Sequence, residues 1–132
     1  MLSTTADHAL RAVLYLAQQP GNSITSAVEI ADAIGAPRNY LSKTLHALTR
    51  AGVTASVSGR GGGFALAVPP YRLTLARLIG VFHDEEEPGR CLLGDRPCTG
   101  DLPCPAHQRW SQLHLAHEHA LRSTTIADLL GP

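Results

Sequence analysis

Nothing in the 132 residues approaches the roughly 18 consecutive apolar residues that a membrane-spanning helix needs. The first residues lack the charged stretch, apolar core and small-residue cleavage site of a secretory leader, so the expected compartment is the cytoplasm, with no membrane partner. Cysteine is scarce and odd in number. Cys91, Cys98 and Cys104 cannot pair evenly, and clustered thiols in a reducing compartment are more often metal ligands or redox groups than structural disulfides. Signs of catalysis are missing as well. The glycine cluster at 59–63 lacks the Lys-Ser/Thr of a phosphate-binding loop, and no Ser, His and Asp can be tied to one site, so an enzyme is not expected. Net charge is absent too, at a formal zero, which at first argues against nucleic acid.

That zero conceals a split. Residues 1–80 carry Arg11, Arg38, Lys43, Arg50, Arg60, Arg72 and Arg77 against Asp7, Glu29 and Asp32, a net +4, and residues 81–132 carry the opposite, −4. Phosphate contact needs a local positive face rather than a positive total, so a basic half joined to an acidic half reads as two tasks on one chain. With 44% hydrophobic residues the chain can bury one sizeable core.

Apolar side chains at Ala6, Ala9, Leu10, Val13, Leu14 and Ala17 have helical spacing, with Thr4 and Asp7 suited to a capping box. Ser26 and Glu29 repeat that pattern before a short second helix ending near Gly35, a residue suited to the left-handed C-terminal position. Pro37 then opens a third helix over residues 37–51. At about 100° per residue, Arg38, Asn39, Ser42, Lys43, His46, Thr49 and Arg50 share one polar arc. Alternation at Val53, Ala55 and Val57, then at Phe64, Leu66 and Val68, around Gly59-Arg60-Gly61-Gly62-Gly63 predicts a β-hairpin. Thr74 is placed to cap a fourth helix, and Ser123 or Thr124 a last short one.

Between them the character changes. Residues 84–106 hold an acidic run, four prolines, three glycines and all three cysteines, with too few hydrophobes to offset the entropy of ordering the segment. A long helix follows, with Ala106, Trp110, Leu113, His117 and Ala120 forming a heptad-like seam for which a second copy of the chain is the simplest partner. The expected organisation is a DNA-binding domain over 1–83, a cysteine-rich sensor loop over 84–104, and a dimerisation helix with a C-terminal segment over 105–132.

Helix, turn, helix and glycine-rich hairpin in this order make a winged helix-turn-helix, mainly α with one small β-hairpin. Arg38, Asn39, Ser42, Lys43 and His46 carry groups that read base edges or grip phosphates in a major groove, and Arg60 at the hairpin tip suits the neighbouring minor groove. The expected ligand is double-stranded DNA. In the sensor loop the spacing is Cys91-x6-Cys98-x5-Cys104, with His107 three residues on. Thiolates are soft ligands suited to iron-sulfur clusters or zinc.

The segments TTADHALRAVLYLA, EIADAIGAPRNYLSKTLHALTRAGV, SGRGGGFALAVPP, LTLARLI and TTIADLL together resemble the Rrf2 family of bacterial transcriptional regulators, including its IscR-like and NsrR-like iron-sulfur members. The resemblance covers essentially the whole chain. It implies a homodimer on a palindromic operator, probing two successive major grooves, usually as a repressor, with a cluster held by three cysteines spaced much like Cys91, Cys98 and Cys104. For the fourth ligand it offers two positions. A histidine placed like His107 implies [2Fe-2S], and an aspartate placed like Asp7 implies [4Fe-4S]. The gap between Cys91 and Cys98 is one residue longer than in the best-known members. Reversible thiol or disulfide chemistry at the same cysteines, structural zinc on the Cys3His set, and a winged-helix adaptor that binds protein rather than DNA are the alternatives.

Overall fold

A computed structural model of the chain describes residues 3–21, 23–82 and 107–131. Helix α1 (Thr4–Gln18) buries Ala6, Ala9, Ala12, Val13 and Leu16 on one face. Its cap is Ser3, whose hydroxyl accepts from Ala6 N at 3.1 Å, rather than Thr4. Asp7 consequently lies one position past a capping box, and its carboxylate accepts from Arg11 Nε at 3.1 Å. Three hydroxyl residues in a row could each cap, and burial of the alanine face selects the first.

Helix α2 (Ala27–Ile34) is capped by Ser26 and closed by Gly35 at φ 72°, as its spacing predicts. Helix α3 (Arg38–Arg50) follows directly and buries Leu41, Thr44, Leu45 and Leu48. Tyr15 on α1 donates to Glu29 on α2 at 3.4 Å, and its pKa is raised, first by desolvation and then by the Glu29 charge. Strands β1 (Thr54–Val57) and β2 (Gly63–Leu66) pair antiparallel from Thr54 opposite Leu66 to Val57 opposite Gly63.

The expected alternation is not kept through Val53, Ala55 and Val57. Val53 and Thr54 are both buried, whereas Ala55 and Val57 are exposed, because the hairpin leaves the core after Thr54. Thr54 tolerates burial because its hydroxyl is hydrogen-bonded, at 2.8 Å to Thr49 and 3.4 Å to the Leu45 carbonyl. On the other strand Phe64 points inward.

After a 3-10 turn (Pro70–Arg72), helix α4 (Leu75–Gly80) starts at Thr74, whose hydroxyl accepts from Arg77 N. Helix α5 (His107–Ser123) leaves Leu113, His117 and Ala120 of the expected seam exposed, and Leu115 also. Ala106 and the side chain of Trp110, also assigned to that seam, lie outside the described residues. Helix α6 (Ile126–Leu130) is capped by Thr125 in a reciprocal box with Asp128, not by Ser123 or Thr124. Thr124 is occupied otherwise: its carbonyl accepts from Leu75 N at 2.9 Å, and Ile126 N donates to Leu73 O at 2.8 Å.

These two bonds fold the C-terminal segment back, and Ile126 joins Val13, Ile30, Leu41, Leu45, Leu48, Val53, Leu73 and Leu78 in one core. The architecture is a mainly helical winged helix-turn-helix with a two-stranded wing. Among the described residues no helix is long and apolar enough to cross a membrane.

Candidate nucleic-acid interface and metal ligands

Helix α3 turns its leucines inward, and the same periodicity carries Arg38, Asn39, Lys43 and His46 to the exposed side, with Ser42 half-buried beside them. Thr49, placed on that arc by spacing alone, instead donates its hydroxyl to Leu45 O at 2.9 Å and bonds to Thr54. It ties the helix to the wing. Tyr40, which is not part of that arc, is also substantially exposed; its hydroxyl bonds to that of Thr5 and its ring meets His8 edge-on at 5.9 Å.

The wing stands beside the outer face of α3. The His46 ring meets Phe64 of β2 edge-on, with centroids 5.4 Å apart. Arg60 is exposed in the turn, between Gly59 and Gly61, which both have positive φ. Such a tip is slim enough to approach a groove.

Arg38 is not a free cation. Asp32 on α2 binds its guanidinium through both carboxylate oxygens, at 3.2 and 3.0 Å. The hydrogen bond first, and the carboxylate charge second, raise the Arg38 pKa. Sequence reasoning missed this pair. The available signal was an acid and an arginine six residues apart, straddling the turn at Gly35.

Cys91, Cys98 and Cys104 lie outside the described residues. Among the described residues no group of three or more His, Cys, Asp or Glu could hold a metal ion. Of the two candidates for a fourth ligand, Asp7 is half-exposed on α1 and engaged with Arg11, so ligation there would require it to leave that ion pair. His107 is the first residue of α5, three positions after Cys104. As donor chemistry, three soft thiolates with one imidazole or carboxylate fit an iron-sulfur centre.

The sequence profile of the Rrf2 family, described as an iron-dependent transcriptional regulator, matches residues 2–132. The chain belongs to the Rrf2 family. It is 36% identical over 133 residues to an HTH-type transcriptional regulator of Aquifex aeolicus, covering 99% of this chain and 92% of that protein. It is 30% identical over 132 residues to the HTH-type transcriptional regulator NsrR of Shouchella clausii, covering 98% and 87%. Among solved structures it resembles CymR, the global cysteine regulator of B. subtilis, with a TM-score of 0.80 and 27% identity over 98% of this chain and 95% of that one. The IscR of T. potens superimposes with a TM-score of 0.77 and 27% identity, covering 98% and 85%. Rrf2 proteins are transcriptional regulators rather than enzymes, and the DNA-binding fold found here is theirs.

Proposed function

We propose that this Rrf2 protein is a cytoplasmic homodimeric repressor that binds a palindromic double-stranded operator and whose affinity is set by an iron-sulfur centre on Cys91, Cys98 and Cys104. The observation that carries the DNA half is the exposed row Arg38, Asn39, Lys43 and His46 on α3, flanked through His46 and Phe64 by a wing tipped with Arg60. Asn39 and Ser42 suit base edges, Lys43 suits phosphates, and Arg60 suits a narrow minor groove. Exposed Leu113 on α5 supplies the apolar surface for a second copy.

The sensing half is supported by the donor set and by the family's description as iron-dependent. His107 or Asp7 completes the set, for [2Fe-2S] or [4Fe-4S] respectively. When bound, such a centre supplies redox activity and a lability that protein ligands alone lack. The chain supplies the transmission. Cys104 lies three positions before His107, the first residue of α5, and the chain just past the far end of α5 is bonded to the DNA-binding domain through Thr124 to Leu75 and Ile126 to Leu73. Gain or loss of a centre on these cysteines would therefore bias the position of α5 and, through it, the DNA-binding domain. A coupling of about 1–3 kcal/mol would change DNA affinity about 5- to 150-fold.

A second reading keeps the DNA-binding fold and replaces the metal with reversible thiol chemistry at the same cysteines. The likeness to CymR, a regulator of cysteine, favours it. Iron and sulfide analysis of oxygen-free protein separates the two. Both elements in the isolated or reconstituted protein support the first reading, and colourless protein lacking both after reconstitution supports the second.

A further inference from the structure

Asp32 and Arg38 face each other across the turn of the helix-turn-helix, the first near the end of α2 and the second opening α3. Arg38 Nε donates to Asp32 Oδ1 at 3.2 Å and Arg38 Nη2 to Oδ2 at 3.0 Å, a side-on fork. A guanidinium has five N–H donors in one plane. This fork uses one on Nε and one on Nη2. Of the donors left over, one on Nη1 and one on Nη2 form the end-on edge, whose paired geometry matches O6 and N7 of guanine in a major groove, while the second hydrogen on Nη1 points to the Cδ side.

We propose that Asp32 is a specificity-determining positioning residue, which holds Arg38 side-on so that the end-on edge of its guanidinium reads a guanine. The proposal rests on the DNA-binding reading above and adds the class of base recognised. Three physical arguments support it. Both partners are more than half exposed, and an exposed pair of this kind adds little to fold stability, so stability alone does not account for it. An arginine at the exposed start of a helix samples many rotamers, and fixing it before binding removes part of the ordering cost of recognition. Finally, a carboxylate on a DNA-facing surface repels phosphates, so Asp32 weakens attachment wherever Arg38 finds no guanine, and this sharpens discrimination.

The test begins with selection of a binding site for the native protein, prepared without oxygen, from randomised duplex DNA. Titrations then compare the native protein, Asp32→Ala, Asp32→Asn and Arg38→Ala. The duplexes are the selected site, the same site with each guanine pair replaced in turn, and an unrelated sequence. Arg38→Ala should erase the preference at one guanine, a discrimination of about 5- to 150-fold. Asp32→Ala should lose most of that preference at the same base pair while binding the unrelated duplex as tightly as the native protein or more tightly, and Asp32→Asn should fall between. An Asp32→Ala protein that keeps the full guanine preference, or that weakens equally on every duplex, would overturn the proposal. A native protein that binds no duplex would overturn the DNA-binding reading itself.

Discussion

Thr25 and Phe64 exchange backbone hydrogen bonds at 2.9 and 2.8 Å, an isolated antiparallel bridge that pins the connection between α1 and α2 to the wing. Gly63 makes the approach possible. Its φ is +157°, and a Cβ placed there would lie 2.3 Å from the Thr25 carbonyl oxygen. Gly63→Ala should therefore destabilise the protein by about 1–3 kcal/mol through local overpacking. It should also weaken DNA binding by displacing Arg60. Urea unfolding and a DNA titration of the same preparation check both effects, and an unchanged urea midpoint would contradict the close approach.

Ile126 is fully buried in the common core, in a helix that packs on α1 and the 3-10 turn, although it comes after the long helix. Truncation to Ala removes a large core side chain, for which a loss of about 2–5 kcal/mol is expected. The same substitution at exposed Leu129 should cost far less. Thermal melts of the two variants make the comparison, and equal losses would mean that α6 does not seal the core.

Much of this was readable locally. Ser26, Gly35 and Thr74 take the roles their spacing predicts, because caps and left-handed ends depend on a few neighbouring atoms. The inner face of α3 follows from its 3.6-residue period. What escaped depends on distant partners. Val57 alternates correctly yet is exposed, since nothing in a strand's own sequence says how far its hairpin projects beyond the core. Thr125 displaces Ser123 and Thr124 as cap because the Thr124 carbonyl is taken by Leu75, about fifty residues earlier in the chain. At the candidate site, periodicity located the exposed row on α3 but missed the Asp32 fork, which requires the turn at Gly35 to bring two helices together.

Lys43 and Arg60 are exposed on α3 and on the wing. Replacing Lys43 with Ala should weaken binding to all duplexes about equally and lower the dependence of log affinity on log salt by about one per subunit on DNA. Arg60→Ala should instead weaken binding most on sites whose flanking minor groove is narrow. Titrations across a salt series read both slopes. Unaltered affinity in the two variants would favour the adaptor alternative.

Leu113 has 64% of its surface exposed on α5. A charge there burdens a dimer interface and leaves the single chain almost untouched. Leu113→Asp should therefore shift the molar mass in solution from dimer to monomer while the folded helical content persists, as light scattering and circular dichroism would register. A variant that remains dimeric would place the interface elsewhere.

Control of DNA affinity by a centre on Cys91, Cys98 and Cys104 is read out by a DNA titration of one oxygen-free preparation before and after its iron is removed by chelation. Native protein should change affinity about 5- to 150-fold on losing iron. A protein with Cys91, Cys98 and Cys104 all changed to Ser should hold no iron and show no such change. Identical binding curves for the iron-loaded and iron-free native protein would contradict control by such a centre.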